Sequence, residues 1–240
     1  MIEAYGDHPS QVLELFEPEG EPRGAAVLVH GGFWRAAYDR HLMDELCRDL
    51  AARGWAAWNL EYRRLGDGGG WPATFDDVEA GIGRVRASNT VLLASDGPAT
   101  GDRGTSNRVL LAAIGHSAGG HLAFWAAARG LVTRAVAQAG VVDLAEAARL
   151  ELSRGVVDEL VPADLYARTS PAAMLPLGVP QLLVHGEDDD TVPVGMSRSY
   201  HAAALAAGDD VRLVTLPGVG HYEHLDPASD AWRAVLEWLS

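Results

Sequence analysis

The sequence predicts an α/β protein in which a mostly parallel central sheet is flanked by helices. Short apolar runs of strand length alternate along the chain with longer amphipathic segments, which is the pattern of successive β–α units. Four of these apolar runs are followed directly by loops rich in glycine, histidine or aspartate. Because the carboxyl ends of parallel strands meet at one edge of a sheet, we expect these loops to lie close together.

The first part of the chain follows this alternation up to a helix that starts after Pro72. The predicted elements are, in order, the strand Gln11–Phe16, the strand Ala25–Val29, the helix Asp39–Arg53, the strand Trp55–Leu60 and the helix Thr74–Ala87. The first strand is expected at a sheet edge, since turn residues follow it. Gly54 ends the first helix, whereas Thr74 and the acidic residues after it are typical of a helix start.

The second part of the chain continues the alternation after an irregular, glycine-rich segment, Ser88–Arg108. Within that segment, Val91–Ala94 either extends the preceding helix or stands apart. The later predicted elements are the strand Val109–Ile114, the helix His121–Arg129, the strand Leu131–Gln138, the strand Gln181–Val184, the helix Ser197–Ala207, the strand Val211–Leu216 and the helix Ala228–Leu239. Residues 149–176 leave room for a small cap-like segment. Because no repeat or linker divides the chain, residues 1–240 are predicted to form a single domain.

The composition excludes several classes of protein. The 19 basic and 33 acidic residues give the 240-residue chain a net charge of −14, which disfavours nucleic acid and anionic membrane partners. The single cysteine, Cys47, allows no internal disulfide and no multi-cysteine metal site. The start of the chain lacks the basic and apolar character of a secretion signal, and no run approaches the roughly 18 apolar residues of a membrane helix. A cytoplasmic protein is therefore expected, and the sequence allows a homodimer.

The pentapeptide Gly115–Gly119 matches the pattern G-x-S-x-G with Ser117 at its centre. The motif stands between a predicted strand and a segment able to form a helix, which is the context expected of a nucleophilic serine on a tight turn. Glycines are needed on either side because neighbouring chain segments approach closely. The N–H of Ala118 would then lie at a helix N-terminus, where it can stabilise an oxyanion. A serine with only a structural role in the turn is the alternative.

A serine nucleophile needs a histidine base and an acid that orients the histidine. The loop after Gln181–Val184 supplies three adjacent candidates for the acid, and their chemistry alone does not separate them: Asp188, Asp189 and Asp190. Asp143 is a fourth, less favoured candidate for the acid. The loop after Val211–Leu216 supplies His221, which Gly220 allows to turn tightly into the site. His224 competes with it but lies in a predicted helix entry, so His221 is preferred.

The segment from His30 to Trp34 reads His-Gly-Gly-Phe-Trp and follows the strand Ala25–Val29. Its two glycines can present backbone N–H groups to a substrate oxygen without obstruction by side chains, as an oxyanion hole requires. The aromatic side chains of Phe33 and Trp34 are expected either in a substrate pocket or in the core. Trp34 and Tyr222 are the predicted substrate contacts.

Taken together, these motifs resemble the α/β-hydrolase superfamily from about Ala25 to the end of the chain. The resemblance implies a triad that includes Ser117 and His221. The superfamily pattern His-Gly-x-x-Asp-x-x-Val-Pro aligns with residues 185–193 and selects Asp189 as the acid. The resemblance also implies an oxyanion hole formed around Gly32 and Phe33 together with the Ala118 amide.

Within the superfamily, His30–Trp34 and Ile114–Ala123 are similar to kynurenine formamidases (arylformamidases) and related small carboxylesterases. This similarity implies hydrolysis of a small aryl formamide or ester without metal or cofactor, and a carboxylesterase acting on short acetyl or aromatic esters is the alternative. A peptidase of the prolyl oligopeptidase type is less favoured, since the chain is short for a gating propeller. A non-catalytic binding module is also less favoured, because no member of the triad is missing. Ser117 disfavours a cysteine or aspartate nucleophile.

Overall fold

The computed structural model describes residues 1–93 and 110–240, which build an eight-stranded sheet with helices on both faces. The strands are β1 (Ile2–Ala4), β2 (Val12–Phe16), β3 (Ala25–Val29), β4 (Ala56–Leu60), β5 (Leu111–His116), β6 (Arg134–Gln138), β7 (Gln181–Gly186) and β8 (Val211–Leu216). Their order in the sheet is β1-β2-β4-β3-β5-β6-β7-β8. Only the pairs β1–β2 and β2–β4 are antiparallel. The predicted, mostly parallel α/β sheet is confirmed.

Two apolar cores sandwich the sheet because alternate strand residues point to opposite faces. In β3, Val27 and Val29 belong to one core, whereas Ala26 and Leu28 belong to the other. The helices are α1 (Asp44–Ala52), α2 (Ala73–Leu93), α3 (Ala118–Ala128), α4 (Leu144–Arg149), α5 (Leu152–Leu160), α6 (Tyr166–Thr169), α7 (Val194–Ala207) and α8 (Asp230–Leu239). Helices α1 and α8 cover one face, and α2, α3 and α7 cover the other.

Several predicted boundaries differ from those of the structure. The predicted helix Asp39–Arg53 is divided into a 3₁₀ turn, Arg40–Met43, and α1. Asp39 caps the turn by accepting a hydrogen bond from the His41 N–H. Strand β2 is not at the edge of the sheet, because β1 pairs with its outer side.

The glycine-rich segment predicted over Ser88–Arg108 is in part a continuation of a helix. Helix α2 runs to Leu93 and includes Val91, so Val91–Leu93 extends the preceding helix rather than standing apart. The remainder of that segment, together with Val109, lies outside the described residues.

Residues 144–173, which contain most of the predicted cap-like segment, fold into short helices and turns rather than one long element. They pack against the loops at the carboxyl edge of the sheet. The Trp71 N–H donates to the carbonyl of Leu160, and Arg35 forms a two-pronged ion pair with Glu159 at 3.0 and 3.2 Å. In the part of the chain that the structure describes, no helix combines the length and apolar character needed to cross a membrane.

Candidate active site

Ser117 occupies the turn between β5 and α3, in a backbone conformation that few residues adopt. Its φ and ψ angles are 56° and −118°, and α3 starts at the next residue, Ala118. Strained backbone of this kind occurs mostly at functional sites. The serine hydroxyl has no hydrogen-bond partner among residues 1–93 and 110–240, so it is not engaged in a structural hydrogen bond there.

The residues around the serine turn are glycines because the turn packs closely against the end of β3 and the glycine loop that follows it. A Cβ on Gly119 would collide with the carbonyl oxygen of Val29, and one on Gly115 would collide with the backbone of Gly119. A Cβ on Gly31 would lie 2.9 Å from the Cβ of Ser117. The glycine loop after β3 therefore touches the serine turn directly.

His221 and Asp189 follow the ends of β8 and β7 and form a buried pair beside this turn. The Nδ1 atom of His221 lies 2.7 Å from Oδ2 of Asp189, and the two side chains are 3% and 0% exposed. Asp189 Oδ1 accepts hydrogen bonds from the backbone N–H groups of Thr191 and Val192 at 2.9 and 2.8 Å. Because Nδ1 of His221 is bonded to the carboxylate, Nε2 is the ring nitrogen that remains available for proton transfer.

The surroundings keep Asp189 charged and two nearby histidines, His116 and His224, neutral. Burial alone would raise the pKa of Asp189, but hydrogen bonds from His185, His221 and the Val192 amide outweigh it and hold that pKa well below its usual range. Burial lowers the pKa of His116 well below its usual value. Burial, with repulsion from His185 and His221, lowers the pKa of His224 to about 3. Near neutral pH the Asp189 carboxylate is therefore charged, and the imidazoles of His116 and His224 are uncharged.

The other candidates for the acid and the base occupy different positions. Asp143 caps α4 by accepting hydrogen bonds from the N–H groups of residues 145 and 146, which is a structural role. Asp188 and Asp190 are exposed, whereas the side chain of Asp189 is fully buried. His224 is buried at 0% exposure, and neither ring nitrogen has a hydrogen-bond partner within the described chain. Among these candidates, only the pair His221–Asp189 has the geometry that a base and its orienting acid need.

The predicted oxyanion residues lie at the same place. Gly32 and Phe33 have φ angles of 99° and 49°, which is an unusual left-handed run in the glycine loop. Within the described residues, the backbone N–H groups of Gly32, Phe33 and Ala118 donate no hydrogen bond. The Ala118 N–H is also the first of helix α3, whose dipole favours negative charge at this end. These amides are available to a substrate oxygen.

A small cavity of about 310 Å³, its open mouth included, joins these groups. It is lined by Gly32, Phe33, Tyr38, Leu42, His116, Ser117, Thr191, His221 and Tyr222. Tyr222 lines the cavity and is 60% exposed at its mouth.

Trp34 does not take the predicted place at the substrate. Its side chain is 0% exposed and packs edge-to-face against His121 at 5.2 Å, so it belongs to the core behind the glycine loop. Phe33 contributes the aromatic surface on this side of the cavity. Sequence reasoning missed Tyr38 and Leu42, because their segment carries no motif. Thr191 could have been found, since it stands two residues after Asp189.

A cluster of potential metal ligands lies elsewhere. Glu14, His41 and Asp44 bring ligand-type atoms within 4.8 Å of one another, but none of them lines the cavity. Arg40 pairs with Glu14 at 3.1 Å and Arg48 with Asp44 at 3.7 Å, so arginines already balance both carboxylates.

Solved structures of two esterases share this architecture, and a lipase is similar in sequence. Among solved structures, esterase 2 of Thermogutta terrifontis is 23% identical with a TM-score of 0.77, and the alignment covers 100% of this chain and 91% of that one. A truncated carbohydrate esterase from gut microbiota is 19% identical with a TM-score of 0.75, over 98% and 93% of the two chains. The monoacylglycerol lipase of Mycolicibacterium smegmatis is 26% identical, over 90% of this chain and 87% of the lipase.

The sequence also matches a family profile that spans the serine turn and the loops that carry Asp189 and His221. The profile of the prolyl oligopeptidase family matches residues 99–240, which is more than half of the chain and contains Ser117, Asp189 and His221. Its match agrees with the fold, the serine turn and the histidine–aspartate pair described above. The chain therefore belongs to the prolyl oligopeptidase family, within the α/β-hydrolase superfamily.

Proposed function

We propose that this protein is a serine hydrolase of the esterase and lipase type, which cleaves small uncharged esters or aryl formamides through an acyl-enzyme. The observation that carries the proposal is the arrangement of the triad. Ser117 and His221 line one cavity, and Asp189 holds Nδ1 of His221 at 2.7 Å. No other group of described residues combines a strained, unpartnered serine with an oriented histidine.

The reaction follows from the roles of these groups. Nε2 of His221 takes the Ser117 proton as the hydroxyl oxygen attacks the carbonyl carbon, and Asp189 stabilises the imidazolium that forms. The negative charge that develops on the carbonyl oxygen is stabilised by the amides of Ala118, Gly32 and Phe33. His221 then gives its proton to the departing alcohol or amine. Water, activated by the same histidine, releases the acid and regenerates the serine.

The cavity favours small, neutral acyl groups. Its described lining has aromatic, aliphatic and small polar side chains and, apart from histidine, no ionisable group that is charged at neutral pH. The net charge of −14 adds a mild bias against strongly anionic substrates. The structures of Thermogutta terrifontis esterase 2 with propionate and with butyrate support short acyl chains for a protein of this fold. We therefore place short-chain esters first.

Aryl formamides are the second candidate, on the resemblance of the segment His30–Trp34 to arylformamidases. N-formylkynurenine carries an ammonium and a carboxylate group, and the described lining of the cavity offers no aspartate or glutamate and no lysine or arginine to pair with them. The family profile raises a third candidate, cleavage of peptides after proline. These three substrate classes differ enough to be separated by one assay.

The test is a panel of p-nitrophenyl esters from acetate to octanoate, N-formylkynurenine and a prolyl p-nitroanilide peptide, assayed with the wild-type protein and with Ser117→Ala. We expect the highest kcat/KM for the acetyl to butyryl esters and no turnover by the variant. A higher kcat/KM for N-formylkynurenine would replace the ester assignment with the formamidase one. Preference for the peptide would overturn both, and undiminished turnover by the variant would remove Ser117 from the mechanism.

A further inference from the structure

His185 lies directly behind the triad, and the mechanism above does not use it. It is the fifth residue of β7 and is 0% exposed. Its Nδ1 atom is 2.7 Å from the hydroxyl of Ser197 in α7. Its Nε2 atom is 2.9 Å from the Val192 carbonyl oxygen and 3.2 Å from Oδ2 of Asp189. A buried imidazole thus joins helix α7 to the catalytic carboxylate.

The partners of His185 determine where its proton is. A backbone carbonyl and an ionised carboxylate can only accept hydrogen bonds, so Nε2 must carry hydrogen and donate to both Val192 and Asp189. In the neutral ring Nδ1 is then an acceptor, and the Ser197 hydroxyl donates to it. The hydrogen bonds therefore run in one direction, from Ser197 through His185 to Asp189.

Asp189 consequently receives four hydrogen bonds, two at each oxygen. Oδ1 accepts from the backbone of Thr191 and Val192, and Oδ2 accepts from His221 and His185. The two backbone donors alone would leave Oδ2 held only by the catalytic histidine. The His185 contact is a second hold on this oxygen, and it comes from a residue that does not line the substrate cavity.

We propose that His185 is a positioning residue for the triad, which holds Asp189 Oδ2 toward His221 and whose ring is itself held in orientation by the hydrogen bond to Ser197. The inference rests on the proposed function in that the triad does the chemistry. Other titratable groups face the same pair. His116 from β5 and His224 from the loop after β8 are both buried, and the ring of His116 lies 4.7 Å from that of His221.

Three variants test this role. Ser197→Ala removes the hydroxyl that bonds to Nδ1 and so fixes the orientation of the His185 ring, and His185→Leu removes the hydrogen bond to Asp189. His185→Gln places an amide N–H near the original Nε2 and should restore that bond. Tyr200→Phe is the matched control, because it deletes a buried hydroxyl bond to Gln181 at 2.7 Å on the same helix without touching His185.

The first readout is the dependence of kcat and kcat/KM for p-nitrophenyl acetate on pH. We expect His185→Leu to lower kcat on the order of tenfold or more, since small errors in position slow catalysis, with KM within about twofold of wild type. Without the His185 bond, more carboxylate charge faces the imidazolium of His221. The acidic limb of the kcat/KM profile should therefore move to higher pH by about half a unit. Ser197→Ala should move it in the same direction, and His185→Gln and Tyr200→Phe should leave it near that of wild type.

The second readout does not depend on turnover. The proton between His221 Nδ1 and Asp189 gives a low-field ¹H NMR resonance, which we expect Ser197→Ala and His185→Leu to shift or broaden and Tyr200→Phe to preserve. If the wild type hydrolyses none of the esters, the proposed function fails and this resonance still decides the positioning role. A wild-type resonance and pH profile in Ser197→Ala, or equal losses in His185→Gln and His185→Leu, would overturn the proposal.

Discussion

Asp189 differs from its neighbouring aspartates in its position in the structure and not in its chemistry. It stands between Asp188 and Asp190, which are exposed, yet only its own carboxylate is buried against His221. We expect Asp189→Asn to lower kcat/KM by about 10³-fold or more. The backbone donors of Thr191 and Val192 would keep the amide oxygen at the Oδ1 position, so the NH2 group would donate to Nδ1 of His221 and favour the wrong tautomer. Ester hydrolysis by the purified variant measures this.

The neighbouring aspartate is the matched control. Asp190→Asn removes an equal charge one residue away at an exposed position, so kcat/KM should stay within about twofold, as expected for a single exposed charge. If the two variants lost activity equally, a general charge effect of the loop would explain the result, and Asp189 would lose its assigned role.

For single residues, the sequence predicts which loops form the site better than it predicts which side chains of those loops face the cavity. The position of Ser117 follows from a local pattern of glycines that the close chain crossing requires. The three aspartates are chemically equal in sequence, and only the resemblance to a superfamily separates them. Trp34 is predicted at the substrate but is buried at 0% exposure, because the left-handed turn at Phe33 and Trp34 directs it into the core.

At the scale of elements, the β5–turn–α3 unit determines whether the site exists. A Cβ on Gly119 would meet the carbonyl oxygens of Val29 and His30, both backbone atoms of β3 and the loop after it. We therefore expect Gly119→Ala to lower the free energy of unfolding by about 3 kcal/mol, since backbone must move to make room. Urea denaturation of the variant gives this value.

Gly83 provides the comparison for that variant. It lies in α2, and no atom of the described chain outside its own helical turn lies within 4 Å of the point where a Cβ would stand, so alanine meets open space there. Gly83→Ala should leave stability unchanged or raise it by up to about 1 kcal/mol, through the higher helix propensity of alanine. Equal destabilisation by both alanines would contradict the close crossing at Gly119.

Element boundaries are less predictable than element types, for identifiable reasons. The segment Asp39–Arg53 has one continuous amphipathic pattern, yet Asp39 caps a 3₁₀ turn and α1 begins only at Asp44. Helix α3 begins at Ala118, before the predicted start at His121, because the serine turn leads straight into it. Gly119 lowers the helix propensity of this segment, which weakens the prediction of a helix there. It is nevertheless required, because α3 contacts the end of β3 at this residue.

At the scale of the whole molecule, buried histidines make stability depend on pH. Burial lowers the pKa of His121 to about 4, that of His224 to about 3 and that of His116 in the same direction. Between about pH 6.5 and 4 the unfolded chain therefore binds more protons than the folded one at these positions. The free energy of unfolding should fall with decreasing pH in this window, by about 1.4 kcal/mol per unit for each such histidine.

Denaturation curves between pH 7 and 4 measure that slope, and one variant assigns the share of His121. His121→Gln keeps a donor for the Thr169 carbonyl, which His121 Nε2 contacts at 2.8 Å, but cannot be protonated. It should reduce the slope by about 1.4 kcal/mol per pH unit, which corresponds to one proton. The same slope in His121→Gln as in the wild type would show that His121 does not titrate below its usual range.

The order of the parallel strands brings together loops that lie far apart in sequence, and this is why the fold and the hydrolase superfamily could be predicted from motifs alone. The substrate could not be predicted, because the cavity also depends on residues such as Tyr38 and Leu42, which carry no motif. The short helices between residues 144 and 173 likewise follow from packing on the sheet edge rather than from any pattern in the chain.

If Ser117 is an activated nucleophile, it should react covalently with a fluorophosphonate. Intact-protein mass spectrometry followed by peptide mapping should find one phosphonyl group on Ser117 of the wild type and none on Ser117→Ala. The structures of Thermogutta terrifontis esterase 2 phosphonylated by sarin and by cyclosarin show that a protein of this fold undergoes such a reaction. No adduct on a folded wild-type protein, or an adduct at another residue that persists in Ser117→Ala, would contradict the account.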